Sequence, residues 1–149
     1  MGNVVVTIET MSTEEKSSFP SNVSFWTNLW DNYTNEFQEV VIQCWKEEEH
    51  AISELSSRAA STTNEGLIKI FSINLNEENR VFLRNYSIDP KGGLKWFTMF
   101  FNINGDERLE VSHYGSEIIL YKADEEKAKQ FISIFSSSIT THYYDENAD

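Results

Sequence analysis

Basic residues are scarce in this chain, 12 Lys and Arg against 24 Asp and Glu, and no run of them exists to neutralise phosphates, which argues against direct nucleic-acid binding. Cysteine occurs once, at Cys44, so no intramolecular disulfide forms and the usual zinc-ribbon spacings are out of reach. Two prolines and six glycines leave little to interrupt regular structure, which argues against extensive disorder. No apolar run approaches the length of a membrane span. The opening GNVVVTIETMSTEE lacks the basic and apolar regions of a signal peptide, so the expected compartment is the reducing cytoplasm. On that basis the sequons at Asn22, Asn32 and Asn85 read as chance matches. There is also no P-loop, no G-x-G-x-x-G and no G-x-S-x-G elbow.

What is present is core-forming material and acid. A hydrophobic fraction of 40% with 13% aromatics suits one packed domain over 1–149, burying roughly two thirds of the unfolded surface. The formal charge of −12 is segregated: residues 1–65 hold 11 acids and 3 bases, 66–122 hold 7 of each, and 123–149 hold 6 and 2. Acid gathered at the two ends of a chain promotes solubility and also steers a basic partner towards one face.

The pattern predicts an α+β fold. Residues 3–9 are β-branched and read as a short N-terminal strand. Apolar positions at Trp26, Leu29, Trp30, Tyr33, Phe37, Val40, Val41, Cys44, Ile52, Leu55 and Ala59 read as one helical stripe over about 24–60, with Ser21, Asn22 or Ser24 as N-cap. Such a rod would be roughly 54 Å long in a domain about 38 Å across, so it must break or bend. At about 100° per residue Glu48 falls on the apolar face, which puts the break near 46–50. There Glu48 is expected to sit at the break, to pair with a base such as Arg84 or Lys95, or to carry a raised pKa. Residues 66–122 read as a five-stranded antiparallel meander, with turns at Asn76-Glu77-Glu78-Asn79, Asp89-Pro90-Lys91-Gly92-Gly93, Asn104-Gly105 and Gly115-Ser116. Its third strand, 94–103, is apolar on both faces, as a covered central strand should be. Asp124, Glu125 and Glu126 open a C-terminal helix over about 124–139, and 143–149 is an acidic tail expected to fray.

The stretch CWKEEEH, 44–50, gathers a cysteine, an aromatic ring, three carboxylates and a histidine. Glu47 and His50 have the Glu-x-x-His spacing by which helical di-metal proteins aim two ligands at one ion, but such a site needs a second helical motif. The other match, Glu110 with His113, falls on a predicted strand, where residues three apart point to opposite faces. Cys44 lies in the apolar stripe and reads as core, and His50 reads as solvent-facing. His113, beside Tyr114, is the best general-base candidate, set against the plainer reading of a strand-edge histidine. No catalytic residue, cofactor-binding residue or metal ligand is assigned, and the chain is expected not to be an enzyme. The candidate contact residues are instead acidic: Glu47, Glu48 and Glu49; Asp106, Glu107 and Glu110; Asp145 and Glu146. Tyr143 and Tyr144 supply aromatic anchors.

A small, acidic, single-domain α+β chain of this profile resembles a bacterial toxin-immunity protein, of the contact-dependent-inhibition or colicin-like kind. The resemblance covers the whole chain as a profile, and no residue is carried over by position. It implies a co-encoded toxin, basic because nucleases bind nucleic acid, inhibited by occlusion of its active site or an exosite. It implies neither a cofactor nor a membrane, and leaves the oligomeric state open. A secretion chaperone shares the size and charge, though the helix usual between its strand groups is missing from 66–122 as read here. A third reading is a small-ligand domain or unrecognised enzyme using Trp96, Phe100 and His113 between the long helix and the sheet.

Overall fold

A computed structural model describes residues 1–11, 19–20, 23–90, 92–136 and 139–145. In chain order the elements are β1 (Gly2–Thr7), β2 (Thr10–Met11), β3 (Phe19–Pro20), α1 (Trp26–Tyr33), β4 (Glu39–Trp45), α2 (Glu49–Ser56), β5 (Ser61–Glu65) and β6 (Ile68–Asn74). They continue as α3 (Glu77–Tyr86), β7 (Thr98–Ile103), β8 (Asp106–Ser112), β9 (Glu117–Ala123), α4 (Glu125–Ile132) and β10 (Thr140–Asp145). Eight strands form one antiparallel sheet in the order β10-β1-β9-β8-β7-β4-β6-β5, and β2 pairs with β3 apart from it. No helix of the described residues is long and apolar enough to cross a membrane.

The α+β class with an antiparallel sheet holds, but the expected layout does not. There is no long helix over 24–60, because β4 occupies its middle. Val40, Ile42 and Cys44 are fully buried and alternate with half-buried Glu39, Val41, Gln43 and Trp45, a period of two that a helix does not produce. Val40, Val41 and Ile42 are β-branched and stiff at χ1, which favours the pleated conformation. The same residues also fit spacings of three and four, which is why a helical stripe could be drawn through them. The expected break near 46–50 is a real joint, between a strand and a helix rather than between two helices. Of the candidate caps, Ser21 and Asn22 lie outside the described residues, and α1 starts after Phe25 with no side-chain cap.

The five-stranded meander is also corrected. Residues 80–88, expected as its second strand, form most of α3. Asn76 Oδ1 accepts the Asn79 N–H at 2.8 Å, Glu77 and Glu78 occupy the first turn, and Arg84 the last, all favourable to the helix dipole. Leu83 is fully buried, and its carbonyl accepts the Trp26 indole N–H at 3.1 Å. The third strand shortens to β7, because Ile88 and Leu94 make only an isolated bridge around a turn in which Asp89 N–H donates to the Gly93 carbonyl. The β7–β8–β9 hairpins remain, while β6 joins β4 and β5. The C-terminal helix ends at Ile132 rather than near 139, and Ser133 just beyond it turns its hydroxyl back to donate to the Gln130 carbonyl at 2.5 Å. Beyond it β10 pairs with β1 from Thr140 to Asp145, so this much of the tail is an edge strand.

One face of the sheet carries Val4, Val6, Ile118, Leu120, Leu109, Val111, Met99, Phe101, Ile42 and Phe71, all essentially inaccessible, and the apolar stripes of α1, α3 and α4 complete that core. On the opposite face Val5, Ile119, Phe100 and Val41 are only half-buried and lie side by side in the register, with Glu110 between Ile119 and Phe100.

Candidate functional site

Three neighbouring strands end at the same side of the sheet, and each brings an aromatic ring there. β4 closes on Trp45, Phe97 leads into β7, and β8 hands on to His113 and Tyr114. Phe97 is the hub, with ring centroids 5.0 Å from Trp45, 5.5 Å from His113 and 5.5 Å from Tyr114. These rings form one wall of a cleft of about 1250 Å³, whose other wall is the 47–54 segment.

The Tyr114 ring is delivered by an unusual turn. His113, Tyr114 and Gly115 have φ of 52°, 59° and 94°, three successive residues in the left-handed region. For the two non-glycines this costs roughly 1 kcal/mol or more each. The conformation is held by Tyr114 N–H donating to the Phe97 carbonyl at 3.1 Å and Leu94 N–H donating to the Tyr114 carbonyl at 2.8 Å. Gly115 is buried, and a Cβ there would meet the Leu94 side chain at 3.1 Å in a backbone conformation that side chains rarely adopt.

Glu48 ties the cleft together. Its Oε1 accepts the Trp45 N–H at 2.9 Å and its Oε2 accepts the Tyr114 hydroxyl at 3.1 Å, so one carboxylate links the end of β4, the start of α2 and the left-handed turn. The bases expected near it are engaged elsewhere: Lys95 Nζ donates to both Glu54 oxygens at 3.2 Å, and Arg84 pairs with Asp31 at 2.7 and 2.8 Å. Among the described residues Glu47, Glu48, Glu49, Glu54 and Asp89 face the cleft with one lysine, five carboxylates to one ammonium. His50, exposed as expected, reaches Glu54 at 3.2 Å.

Burial, reinforced by the Glu48 carboxylate, holds the Tyr114 hydroxyl far above the usual phenol range. On the open face burial, with Glu110 and Glu107, pushes Tyr121 up to about 12. Both folded-state values lie above the ordinary value of 10, so the stability they contribute is fully present below pH 10 and is lost as pH rises towards the folded values. Near-ultraviolet titration of tyrosinate is expected to show a late component that Tyr114→Phe and Tyr121→Phe each diminish. Complete ionisation of all tyrosines by about pH 11 with the fold intact would contradict these environments.

The structure brings Glu47, Glu48 and Glu49 into the cleft and leaves the other expected contact residues apart from it. Asp106 lies at the β7–β8 hairpin, at the far end of β8, where hydrogen bonds from Lys122 and Arg108, both at 2.8 Å, hold its carboxyl below the usual range. Beside it, Glu107 is pushed up by burial and by Glu110. Tyr143 is half-buried, with its hydroxyl donating to the Ala123 carbonyl at 2.8 Å, whereas Tyr144 is exposed and stacks near His142. Asp145 ends β10, and Glu146 lies outside the described residues. Trp96, Phe100 and His113 are not gathered at all: Trp96 is buried with its indole N–H on Ser87 Oγ at 2.9 Å, Phe100 is on the open face, and only His113 lines the cleft. Cys44 is fully buried, and among the described residues no group of three His, Cys, Asp or Glu side chains is placed to hold a metal ion.

Sequence reasoning missed Phe97 as a site residue and Trp45 and Tyr114 as partners, while Lys95, expected beside Glu48, lines the same cleft on Glu54. Their proximity depends on β4 being a strand beside β7, a pairing with no local signal. The chain matches no protein-family model, no curated protein and no solved structure.

Proposed function

We propose that this chain is an acidic protein-binding inhibitor of the toxin-immunity type, which neutralises a co-encoded basic toxin domain by covering its active site or a nearby exosite. What supports the reading is the cleft, where among the described residues five carboxylates and one ammonium surround a cluster of aromatic rings. Carboxylates speed the encounter with a basic surface, and half-buried rings supply the desolvated anchors on which affinity concentrates. Further acid at Glu110 and Glu117 on the open sheet face extends the field in the same sign. A secretion chaperone becomes the second reading, because α3 supplies the helix between strands that 66–122 seemed to lack.

Co-expression with the neighbouring gene product separates these readings. The immunity reading expects a tight 1:1 complex with a basic, toxic protein, whose association rate falls as salt screens the attraction. A partner that is secreted and held only in an unfolded state would favour the chaperone. If no basic protein is retained and the neighbouring gene encodes no toxic domain, the immunity reading is abandoned.

A further inference from the structure

We infer that the cleft receives an arginine side chain of the basic partner, its guanidinium lying within the Trp45–Phe97–Tyr114 ring cluster and its N–H groups turned to the surrounding carboxylates. The inference rests on the reading of the chain as a binder of basic proteins and names the group that such a partner inserts.

Shape, apolarity and charge each restrict the occupant. The volume, about 1250 Å³, exceeds the usual range for a small-molecule site and admits a side chain together with the stretch of partner backbone that carries it. Rings at 5.0 to 5.5 Å from Phe97, inclined at 51°, 88° and 66°, set electron-rich faces at several angles. Such faces attract cations. Among the described lining residues carboxylates outnumber Lys95, which disfavours an anion, and no three His, Cys, Asp or Glu side chains of the described residues are placed to hold a metal ion.

Among cationic side chains the site favours arginine over lysine. A guanidinium is planar, weakly hydrated and able to stack on a ring while it donates in its plane to two carboxylates. An ammonium would have to shed a tightly held water shell to lie against Phe97. Lys95, the resident ammonium, stays on Glu54 at 3.2 Å from both oxygens. Glu48, fixed by the Trp45 amide and the Tyr114 hydroxyl, holds the floor in shape, while Glu47 and Glu49 stand exposed at the rim.

The probes are N-acetyl-arginine methylamide, its lysine counterpart and its uncharged citrulline isostere, each titrated into the isotope-labelled 149-residue chain and followed by NMR. The arginine compound is expected to move the Trp45 indole signal and the amides of 45–51, 97 and 113–114 at roughly millimolar concentration. It should bind about fivefold tighter than the lysine compound, and citrulline should move none of these signals. Phe97→Leu, which keeps apolar volume and removes the ring, should weaken arginine binding about fivefold. Glu47→Gln combined with Glu49→Gln should weaken it as well, and because both positions are exposed the fold is not at risk. Equal binding of arginine and lysine with no response to Phe97→Leu, shifts scattered over the acidic surface, or no shifts well above millimolar concentration would each overturn the assignment. Failure of the two ideas can be told apart. If the arginine compound seats in the cleft while no co-encoded protein is retained, the site stands and the immunity reading falls. If the partner is retained equally by wild type and Phe97→Leu while the compound is ignored, the reverse holds.

Discussion

Truncating Phe101 to alanine is expected to remove about 3–5 kcal/mol of unfolding free energy, a large part of what a domain of this size possesses. Phe101 is inaccessible in β7, between Val40 of β4 and Leu109 of β8. Its ring meets Trp30 of α1 at 5.9 Å and Phe37 of the following turn at 5.7 Å, so a helix, a loop and three strands converge on one side chain. Removing it leaves a cavity that none of these elements can fill without breaking its pairing, which places the loss at the upper end for core truncations. The control is its immediate neighbour. Phe100 is the same residue type on the same strand but half-buried on the opposite face of the sheet, and Phe100→Ala should cost under about 1 kcal/mol. Urea unfolding of both variants, with unchanged m-values, reads the difference directly. Comparable losses at the two positions would mean that the sheet does not have one packed and one open face.

This contrast also marks where sequence and structure part. The hairpins from β7 to β9 were legible, because Asn104-Gly105 has turn chemistry and the flanking residues alternate. The start of α4 was legible too, since Asp124 caps it by accepting the Lys127 N–H at 2.7 Å. The two failures are exchanges of period. In 39–45 Val40, Val41 and Cys44 satisfy helical spacing as well as alternation, and the β-branched content that separates the two was outweighed by the apparent continuity of a long stripe. In 77–86 Val81, Phe82 and Tyr86 have strand-like propensities, yet Asn76 followed by two glutamates was a helix start that the turn reading hid. Both errors disguise topology more than class. A short strand that joins sheet neighbours 23 or more residues away has its identity fixed by partners rather than by its own residues.

The candidate site was legible in half. Glu48 was out of phase with any helix through it, and the structure makes it the point where β4 stops and α2 begins, its carboxylate bridging Trp45 and Tyr114. The acidic stretch Glu47, Glu48 and Glu49 was thereby located as a joint. The ring wall opposite was not, since Phe97 and Tyr114 come from positions 50 or more residues away and meet Trp45 only through strand order. The left-handed turn that carries Tyr114 is nearly silent, because tyrosine has no preference for φ above zero and only Gly115, with a weaker tendency at His113, hints at it.

Replacing Arg80 is expected to be the most damaging change of a charged residue, because its guanidinium closes backbone that nothing else supplies with a donor from α3. Its Nε donates to the Leu75 carbonyl at 3.0 Å, its Nη1 to the Thr34 carbonyl at 3.0 Å, and its Nη2 to the carbonyl of Phe37. Thr34 caps the C-terminus of α1, where helix carbonyls lack partners and a cation also complements the dipole. One side chain thus fastens α3 to the end of β6 and to the turn that feeds β4. Arg80→Ala should cost about 3 kcal/mol, since hydrogen bonds from a charged group to the Leu75 and Phe37 carbonyls are lost, while the Thr34 carbonyl keeps the Phe37 N–H. Arg80→Lys should recover only part of this, because an ammonium cannot span three divergent carbonyls. Arg80→Met keeps the apolar stem and removes every donor, which separates packing from hydrogen bonding. The affected region is read by amide exchange at Phe37, whose N–H donates to Thr34, and at Gln38, whose N–H donates to Asn102. Both should exchange faster in the alanine and methionine variants while the β8–β9 amides keep their protection. A methionine variant as stable as wild type, with Phe37 and Gln38 still protected, would show that the stem matters and the guanidinium does not. Loss of protection that spreads from 34–38 into the β4 amides of 39–45 would instead identify this clamp as what holds β4 in register, and through Trp45 what holds the aromatic wall of the cleft in place.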